Sequence, residues 1–471
     1  MNKGMNSFVL VVAVIAGFGG FLFGFDSSVI ADVKDQVMGQ LALSELQWSV
    51  VVSISLLGCI FGIPLSGIFA DRVSRRSLLK TVALGFIAGT AICALTHSLY
   101  PLLIGRFIIG VCIGIASYIA PLFISEIAPP HRRGTLVLIN GLTITFGQAV
   151  AYLIGYLLHD YSSASWRYLF WMGSIPALIL FLGMFCVPHS PRWIMKKQGR
   201  DETLKALSRI RPAEYNIHKE LDEINIHLGS SKPNFSLLFK VPIVSVLLVG
   251  IGLGIFQQFS GINAVMYYGP VIFESAGFFP VKNAILATFC MGVINFLFTL
   301  ITLFCIDKLG RRFLLLSGTF IAALSLFAVS IVFNYSLPGQ KFWILGLFST
   351  YVIGYCISVG SLFWVLISEI YPLQVRGIAM SIATVVQWGA NFVISISFLA
   401  VYQSFGQVLT FSMFGSFCLL AFAFVYYFVP ETTGISLEKI EEQLMAGKKV
   451  RDIGQPVSDK RKTKQFELLM D

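Results

Sequence analysis

Asp71-Arg72-Val73-Ser74-Arg75-Arg76 is answered 236 residues later by Asp307-Lys308-Leu309-Gly310-Arg311-Arg312. Two further landmarks keep nearly that interval. Ser125-Glu126-Ile127-Ala128-Pro129 with Arg133-Gly134 returns as Ser368-Glu369-Ile370-Tyr371-Pro372 with Arg376-Gly377, 243 residues on. Pro188-His189-Ser190-Pro191-Arg192 faces Pro430-Glu431-Thr432-Thr433-Gly434, 242 residues on. Three landmarks repeating at one interval mark a duplicated chain with two homologous halves.

Almost everything between the landmarks is apolar. Of 471 residues 56% are hydrophobic and 12% charged, against roughly 45–50% and 25% in soluble domains, so lipid is the expected solvent. A membrane-crossing helix needs about 20 apolar residues, because its backbone groups must be satisfied within the segment. Twelve segments qualify: Ser7–Ala31, Leu46–Ala70, Leu78–Thr96, Tyr100–Ile127, Thr135–Leu158, Trp166–Val187, Val241–Tyr268, Val281–Ile306, Phe313–Tyr335, Phe342–Tyr371, Ile378–Tyr402 and Gln407–Val429. The fold class expected is therefore an all-α integral membrane protein of twelve transmembrane helices in two six-helix halves. The chain divides into an N-terminal half (1–188), a charged helical linker (189–240), a C-terminal half (241–429) and a helix and tail (430–471). Short helices are expected at 201–207, 214–228 and 435–445.

With the N-terminus inside, the 34 Lys and Arg test this topology. Twenty-nine fall on the inner side and four outside (Lys34, Arg167, Lys282 and Lys341), with Arg106 inside a span. This asymmetry predicts both termini in the cytoplasm. It also explains the net charge of +10 as membrane orientation and attraction to anionic lipid, and argues against nucleic acid as a partner. The eight cysteines all lie in apolar segments without a disulfide framework or zinc spacing. The first span follows a short n-region with no small-residue cleavage site and reads as a retained signal anchor. Nucleotide-binding, zinc-hydrolase and nucleophile-elbow motifs are missing, so neither enzymatic activity, a metal nor a cofactor is expected.

Apart from Lys80, Arg167 and Lys282, which sit at span ends and count with the loops, four charges lie within these spans: Asp26, Arg106, Glu126 and Glu369. Intramembrane ionisable groups are functional candidates. Asp26 and Arg106 lie five and six residues from the same end of antiparallel spans, hence at one depth. The pair reads either as a proton switch or as a permanent salt bridge fixing helix packing. Glu126 and Glu369 sit at inner span ends. With Asp71, Arg72, Arg75, Arg76, Arg133, Asp307, Arg311, Arg312 and Arg376 they form either an ion-pair network locking the halves together or merely solvated loop charges. Seven amides, Gln148, Gln257, Gln258, Asn263, Asn295, Gln387 and Asn391, lie in spans. Singly each reads as an interhelical hydrogen bond. Together they suggest a cavity for a neutral polyhydroxylated ligand, with Trp364 and Trp388 able to stack on a sugar ring and Phe23 within reach. Glycine pairs four apart (Gly20/Gly24, Gly58/Gly62, Gly110/Gly114, Gly250/Gly254) favour close helix approach.

Gly20-Phe21-Leu22-Phe23-Gly24-Phe25-Asp26, Gly105-Arg106-Phe107, Gln257-Gln258-Phe259-Ser260-Gly261-Ile262-Asn263, Tyr267-Tyr268 and Pro430-Glu431-Thr432 resemble the sugar porters of the major facilitator superfamily. The resemblance runs from Gly20 to about Glu442. It implies that Gln148, Gln257, Gln258, Asn263, Asn295, Trp364, Gln387 and Trp388 bind a monosaccharide, lined by Phe23 and Asn391, with Tyr267 and Tyr268 as an outer gate. It implies that Asp26 carries a proton opposite Arg106, and that the basic-loop motifs, Arg192 and Glu431 included, form an inner gate. The expected activity is proton-coupled import of a hexose or pentose by alternating access, driven by the proton gradient in a bacterial-type inner membrane by a monomer. Passive uniport and a non-transporting sugar sensor are the alternatives. Ser74, His189 and Thr433 depart from the family's Gly, Glu and Lys. Span ten lacks the proline usual before Trp364, so its bend is expected either to rely on Gly354 and Gly360 or to be smaller.

Overall fold

The computed structural model describes residues 7–453 apart from 71, 130–132, 212–216, 231–237, 373–374, 434 and 436. Its helices are α1 (Ser7–Asp32), α2 (Lys34–Leu41), α3 (Glu45–Ala70), α4 (Arg75–Leu95), α5 (Leu99–Ile127), α6 (Arg133–Leu158), α7 (Ser165–Met172), α8 (Ser174–Cys186), α9 (Pro191–Gln198), α10 (Arg200–Ile210), α11 (Ile217–Ser230), α12 (Val241–Phe259), α13 (Ile262–Tyr267), α14 (Gly269–Ser275), α15 (Val281–Leu309), α16 (Arg311–Tyr335), α17 (Gln340–Tyr355), α18 (Ser361–Glu369), α19 (Arg376–Phe428) and α20 (Leu437–Met445). No strand occurs among the described residues.

The twelve expected spans are all present, several of them interrupted. α7 and α8 together make the sixth, α12 and α13 the seventh, and α17 and α18 the tenth. α19 has 53 residues, about 80 Å if straight, far beyond a hydrocarbon core of about 30 Å. Gly406 (φ 73°, ψ 174°) folds it back on itself and separates spans eleven and twelve. The first span runs one residue further than expected, to Asp32, which is buried. The four intramembrane charges become five. α10, α11 and α20 match the short helices expected near the linker and tail, although 214–216, 231–237 and the tail from 454 lie outside the described residues.

Glycines bring helices of the first half into backbone contact. A methyl group on Gly58 or Gly62 of α3 would lie 2.5 or 2.4 Å from carbonyl oxygens of α5. Methyl groups on Gly110 and Gly114 of α5 would lie 1.9 and 2.5 Å from α3 carbonyl oxygens, and one on Gly24 of α1 would lie 1.8 Å from the Ile144 carbonyl oxygen of α6. In the second half Gly250 instead makes room for the Tyr371 hydroxyl.

Burial is unequal along the bundle axis. At the end away from the basic loops one continuous apolar core joins the halves, with Val33, Trp48 and Val51 packed together with Met266, Tyr268, Phe273, Phe398 and Phe411. At the basic end the second half has a core of its own, built from residues such as Ile243, Val249, Leu314, Ile367, Ala379 and Val429. The molecule is closed at one end and two-lobed at the other.

Candidate functional site

α1 and α5 cross at mid-bundle, where Asp26 (6% exposed) and Arg106 (1%) form a buried ion pair. Arg106 is held from α3 as well: Nη2 donates to Ser55 Oγ at 2.8 Å and Nε to the Val51 carbonyl at 3.4 Å. These contacts fix the guanidinium independently of Asp26, so the carboxylate is free to leave it. Beside the pair lies a void of about 10 Å³ lined by Phe23, Ser27, Ser55, Cys59 and Tyr267, the lower limit of what one water requires. Sequence placed both charges at one depth, and the structure joins them.

The seven amides converge on the interface between the halves. Gln148 of α6 accepts from Asn295 of α15 at 3.0 Å across that interface and reaches Ser27 Oγ at 3.4 Å. Gln257 accepts from Gln387 at 3.1 Å, Asn263 donates to Gln258 at 2.6 Å, and Asn391 donates to the Tyr267 hydroxyl at 3.3 Å. All but Asn263 are at least nine-tenths buried. Phe23 and Trp388 meet across the halves with ring centroids 5.0 Å apart, and the Trp388 indole N–H is buried without an acceptor. Trp364 is the exposed member of the set, at 37%, and packs edge-on against Phe363.

Two helix breaks aim these amides. Gly261, in the left-handed region at φ 89°, ends α12 and restarts the chain as α13, which swings Asn263 back over Gln258. In span ten a π turn at Cys356–Gly360 centres on Ser358 (φ −116°, ψ −121°). Of the two glycines on which the bend is expected to rely, Gly360 closes this turn, while Gly354 precedes it and packs its backbone against Gly318. Broken helices leave carbonyls without intrahelical donors. Gln257 Nε2 supplies them, reaching the Val359 and Gly360 oxygens at 3.0 and 3.3 Å. Its amide nitrogen is thus engaged by the fold in this state.

Tyr267 (3% exposed) and Tyr268 (0%) are sealed into the shared core. Tyr268 stacks on Phe398 at 5.0 Å and donates to the Ser395 carbonyl at 3.1 Å. Nearby, Tyr152 of α6 donates to the Met266 carbonyl at 2.7 Å and Lys282 pairs with Asp160 at 2.6 Å, both across the halves.

The pairs that the basic-loop motifs form among the described residues stitch span ends within each half. Arg75 donates to Glu126 at 3.0 Å and to the Ala70 carbonyl at 2.5 Å, while Arg311 donates to Glu369 at 3.2 Å and to the Ile306 carbonyl at 3.3 Å. The second arginine of each copy caps the last carbonyls of its half's final span, Arg76 on Met184 and Phe185, Arg312 on Tyr426. Ser190 and Thr432 hydroxyls each donate to the motif glutamate. Arg376 caps the Tyr371 carbonyl at 3.2 Å, Arg192 is half-buried in the first turn of α9, and Arg72 is exposed. Asp71 and the side chains of Arg133 and Asp307 lie outside the described residues.

The copies differ at one corner. In the second, the Glu431 carboxylate accepts from the backbone amides of Arg311, Arg312 and Thr433, each at 3.0 Å, and caps α16 from outside. Burial alone would raise this carboxyl, but the Thr433 hydroxyl and these amides outweigh it and hold the group below the usual range. Gly310 (φ 85°) carries no side chain there, and a methyl would lie 2.8 Å from Glu431. In the first copy Ser74 caps α4 itself, accepting from Ser77 N at 3.1 Å. His189 stacks on Trp193 at 5.1 Å with Nδ1 buried and unpartnered; burial, then the Arg76 and Lys80 charges, keep it below the ordinary histidine value. The Ser74 and His189 departures are thus one exchange, a self-cap in place of a borrowed one.

Residues 12–444 match the family model described as "Sugar (and other) transporter". The chain is 35% identical to the arabinose-proton symporter of Bacillus subtilis, covering 92% of this chain and 95% of that one. It is 32% identical to the galactose-proton symporter of Escherichia coli, with 96% and 97% covered. A partially occluded, inward-open structure of the xylose transporter XylE from E. coli superposes with a TM-score of 0.80 at 30% identity, covering 92% of this chain and all of that one. On fold, motifs and these likenesses together, the chain belongs to the sugar transporter family of the major facilitator superfamily.

Proposed function

We propose that this chain imports a hexose or pentose in symport with a proton by alternating access between its two halves. The observation that carries the reading is the Asp26–Arg106 pair: a dry carboxylate whose partner is secured by Ser55 and Val51 whether or not Asp26 is ionised. In this state the carboxylate is paired, the geometry of the deprotonated form. Protonation removes the Coulombic attraction and frees α1 from α5. The arabinose- and galactose-proton symporters it resembles support both the substrate class and the coupling.

In this reading the amides and Phe23, Trp364 and Trp388 bind sugar, exchanging the hydrogen bonds they now make with one another for bonds to hydroxyls. Tyr267 and Tyr268 close the outer end. The basic loops face the cytoplasm with both termini, and residues 1–188 and 241–429 move as the two halves of a monomer in a bacterial-type inner membrane. The proton gradient supplies the energy, and no cofactor enters the cycle.

Uptake into proteoliposomes tests this. An inward proton gradient should drive sugar above equilibrium, and Asp26→Asn should abolish accumulation while retaining exchange. Accumulation indifferent to both the gradient and Asp26→Asn replaces symport by passive uniport.

A further inference from the structure

The first helix carries a second buried carboxylate that the mechanism above leaves unused. Asp32, 8% exposed, has both oxygens buried with no hydrogen-bond donor. It lies six residues beyond Asp26, about 9 Å along the helix axis and on another face. It packs directly on α6, where a methyl on Gly155 would come within 2.0 Å of Oδ2. That glycine provides the space the carboxyl occupies.

Charged neighbours do not neutralise it. The helices packed around α1 bring Lys34 and Asp35 (α2), Arg106 (α5), Tyr152 and Tyr156 (α6), Arg167 (α7), Tyr267 (α13) and Glu274 (α14), with His159 in the turn after α6. Lys34 is bound to Glu45, Arg106 to Asp26, and Arg167 to the Ala94 carbonyl, and no residue donates to either Asp32 oxygen. A carboxylate without partner or solvent is strongly disfavoured, so the group here is the neutral acid.

Asp32 also sits one side chain from the closed interface between the halves. Tyr152, which lies within electrostatic reach of Asp32, is the residue whose hydroxyl donates to the Met266 carbonyl of the opposite half. Opening this end separates Tyr152 from Met266 and admits water to the carboxyl.

We propose that Asp32 is a second proton-binding site, neutral when this end is closed and ionised when it is open, so that closing the end takes up one proton from the solution on that side. The proton returns to the same side on reopening. Asp32 therefore adds nothing to the transport stoichiometry and instead biases the gate toward closure in acid. Its role in a cycle rests on the symport reading; its protonation does not.

The test uses the full-length protein in proteoliposomes, comparing wild type with Asp32→Asn, Asp26→Asn and Gly155→Ala. Infrared difference spectra between acid and alkaline media should contain a carboxylic C=O band that Asp32→Asn removes and Asp26→Asn retains. Sugar exchange limited by closure should slow as the external medium becomes alkaline, by up to about tenfold per pH unit for one linked proton, and Asp32→Asn should flatten this dependence. Gly155→Ala, which displaces the carboxyl, should shift the same band, and it keeps the test decisive should Asp32→Asn fail to fold. Bands and exchange profiles of wild type and Asp32→Asn that superimpose overturn the proposal, and leave symport standing if Asp26→Asn alone loses accumulation. A wild type indifferent to the gradient whose band still vanishes in Asp32→Asn ends the symport reading and supports the proton on Asp32.

Discussion

The duplicated motif at the basic end has been built twice with different parts. Both copies tie an arginine to a membrane-end glutamate, reach back five residues to a carbonyl, and cap the final span of their own half. In the first copy Glu126 is nearly sealed (side chain 3% exposed) and in the second Glu369 is not (22%). The first caps its helix from within through Ser74; the second borrows Glu431 from the segment that follows span twelve, 120 residues away. Equivalent sequence positions thus hold interactions of different depth. What the duplication preserves is the set of helix ends that are joined.

The largest expected effects come from the glutamates. Glu126→Ala leaves Arg75 buried without its carboxylate and should cost about 3–5 kcal/mol, the range for breaking a buried pair. Glu369→Ala, more hydrated, should cost about 1–2 kcal/mol, nearer to a lost charged hydrogen bond. Thermal unfolding in detergent gives the order directly, and equal losses would remove the asymmetry of burial.

Exchanging the caps comes next. Ser74→Gly should destabilise by only about a few tenths of a kcal/mol through loss of the N-cap side chain, and His189→Glu in the same chain should restore most of it by supplying a cap from outside. Gly310→Ser should be worse than Ser74→Gly, because it forces a side chain to a positive φ and into Glu431. Additive single and double variants would show that Ser74 and His189 are unrelated changes.

The smallest effect is a difference in pH response. The folded Glu431 carboxyl titrates below its unfolded value, so its stabilisation is present above the unfolded value near 4.5 and is lost as pH falls through the depressed one. His189 is also depressed, but here the unfolded state binds the proton more readily. Stability therefore falls as pH drops below the unfolded value near 6.5. Melting curves of His189→Gln and Glu431→Gln against pH should flatten in these two separate windows.

Much of this architecture is legible in the sequence because lipid imposes a length and a polarity on every span. Span count, repeat interval and the shared depth of Asp26 and Arg106 all follow from that. The helix breaks do not. Gly354 and Gly360 mark span ten as able to bend, but nothing in Cys356-Ile357-Ser358-Val359-Gly360 specifies a π turn centred on Ser358, which is stabilised from another helix by Gln257. Asp32 escaped for a related reason: a carboxylate near a span boundary is taken for its end, and only the glycine opposite shows it to be inside. The repeat shows which loops correspond but carries no distances, so the pairs within each half, Arg75 with Glu126 and Arg311 with Glu369, come from the structure alone.

The glycine contacts of the first half bear on how force travels. α3 and α5, like α1 and α6, meet backbone on backbone, leaving no side-chain layer that can shear; each pair turns as one piece. The second half places its interruptions, at Gly261 and at Ser358, in the span that carries three of the seven amides and in the span that Gln257 braces. An angle can change at those points without unzipping a ladder of helical hydrogen bonds.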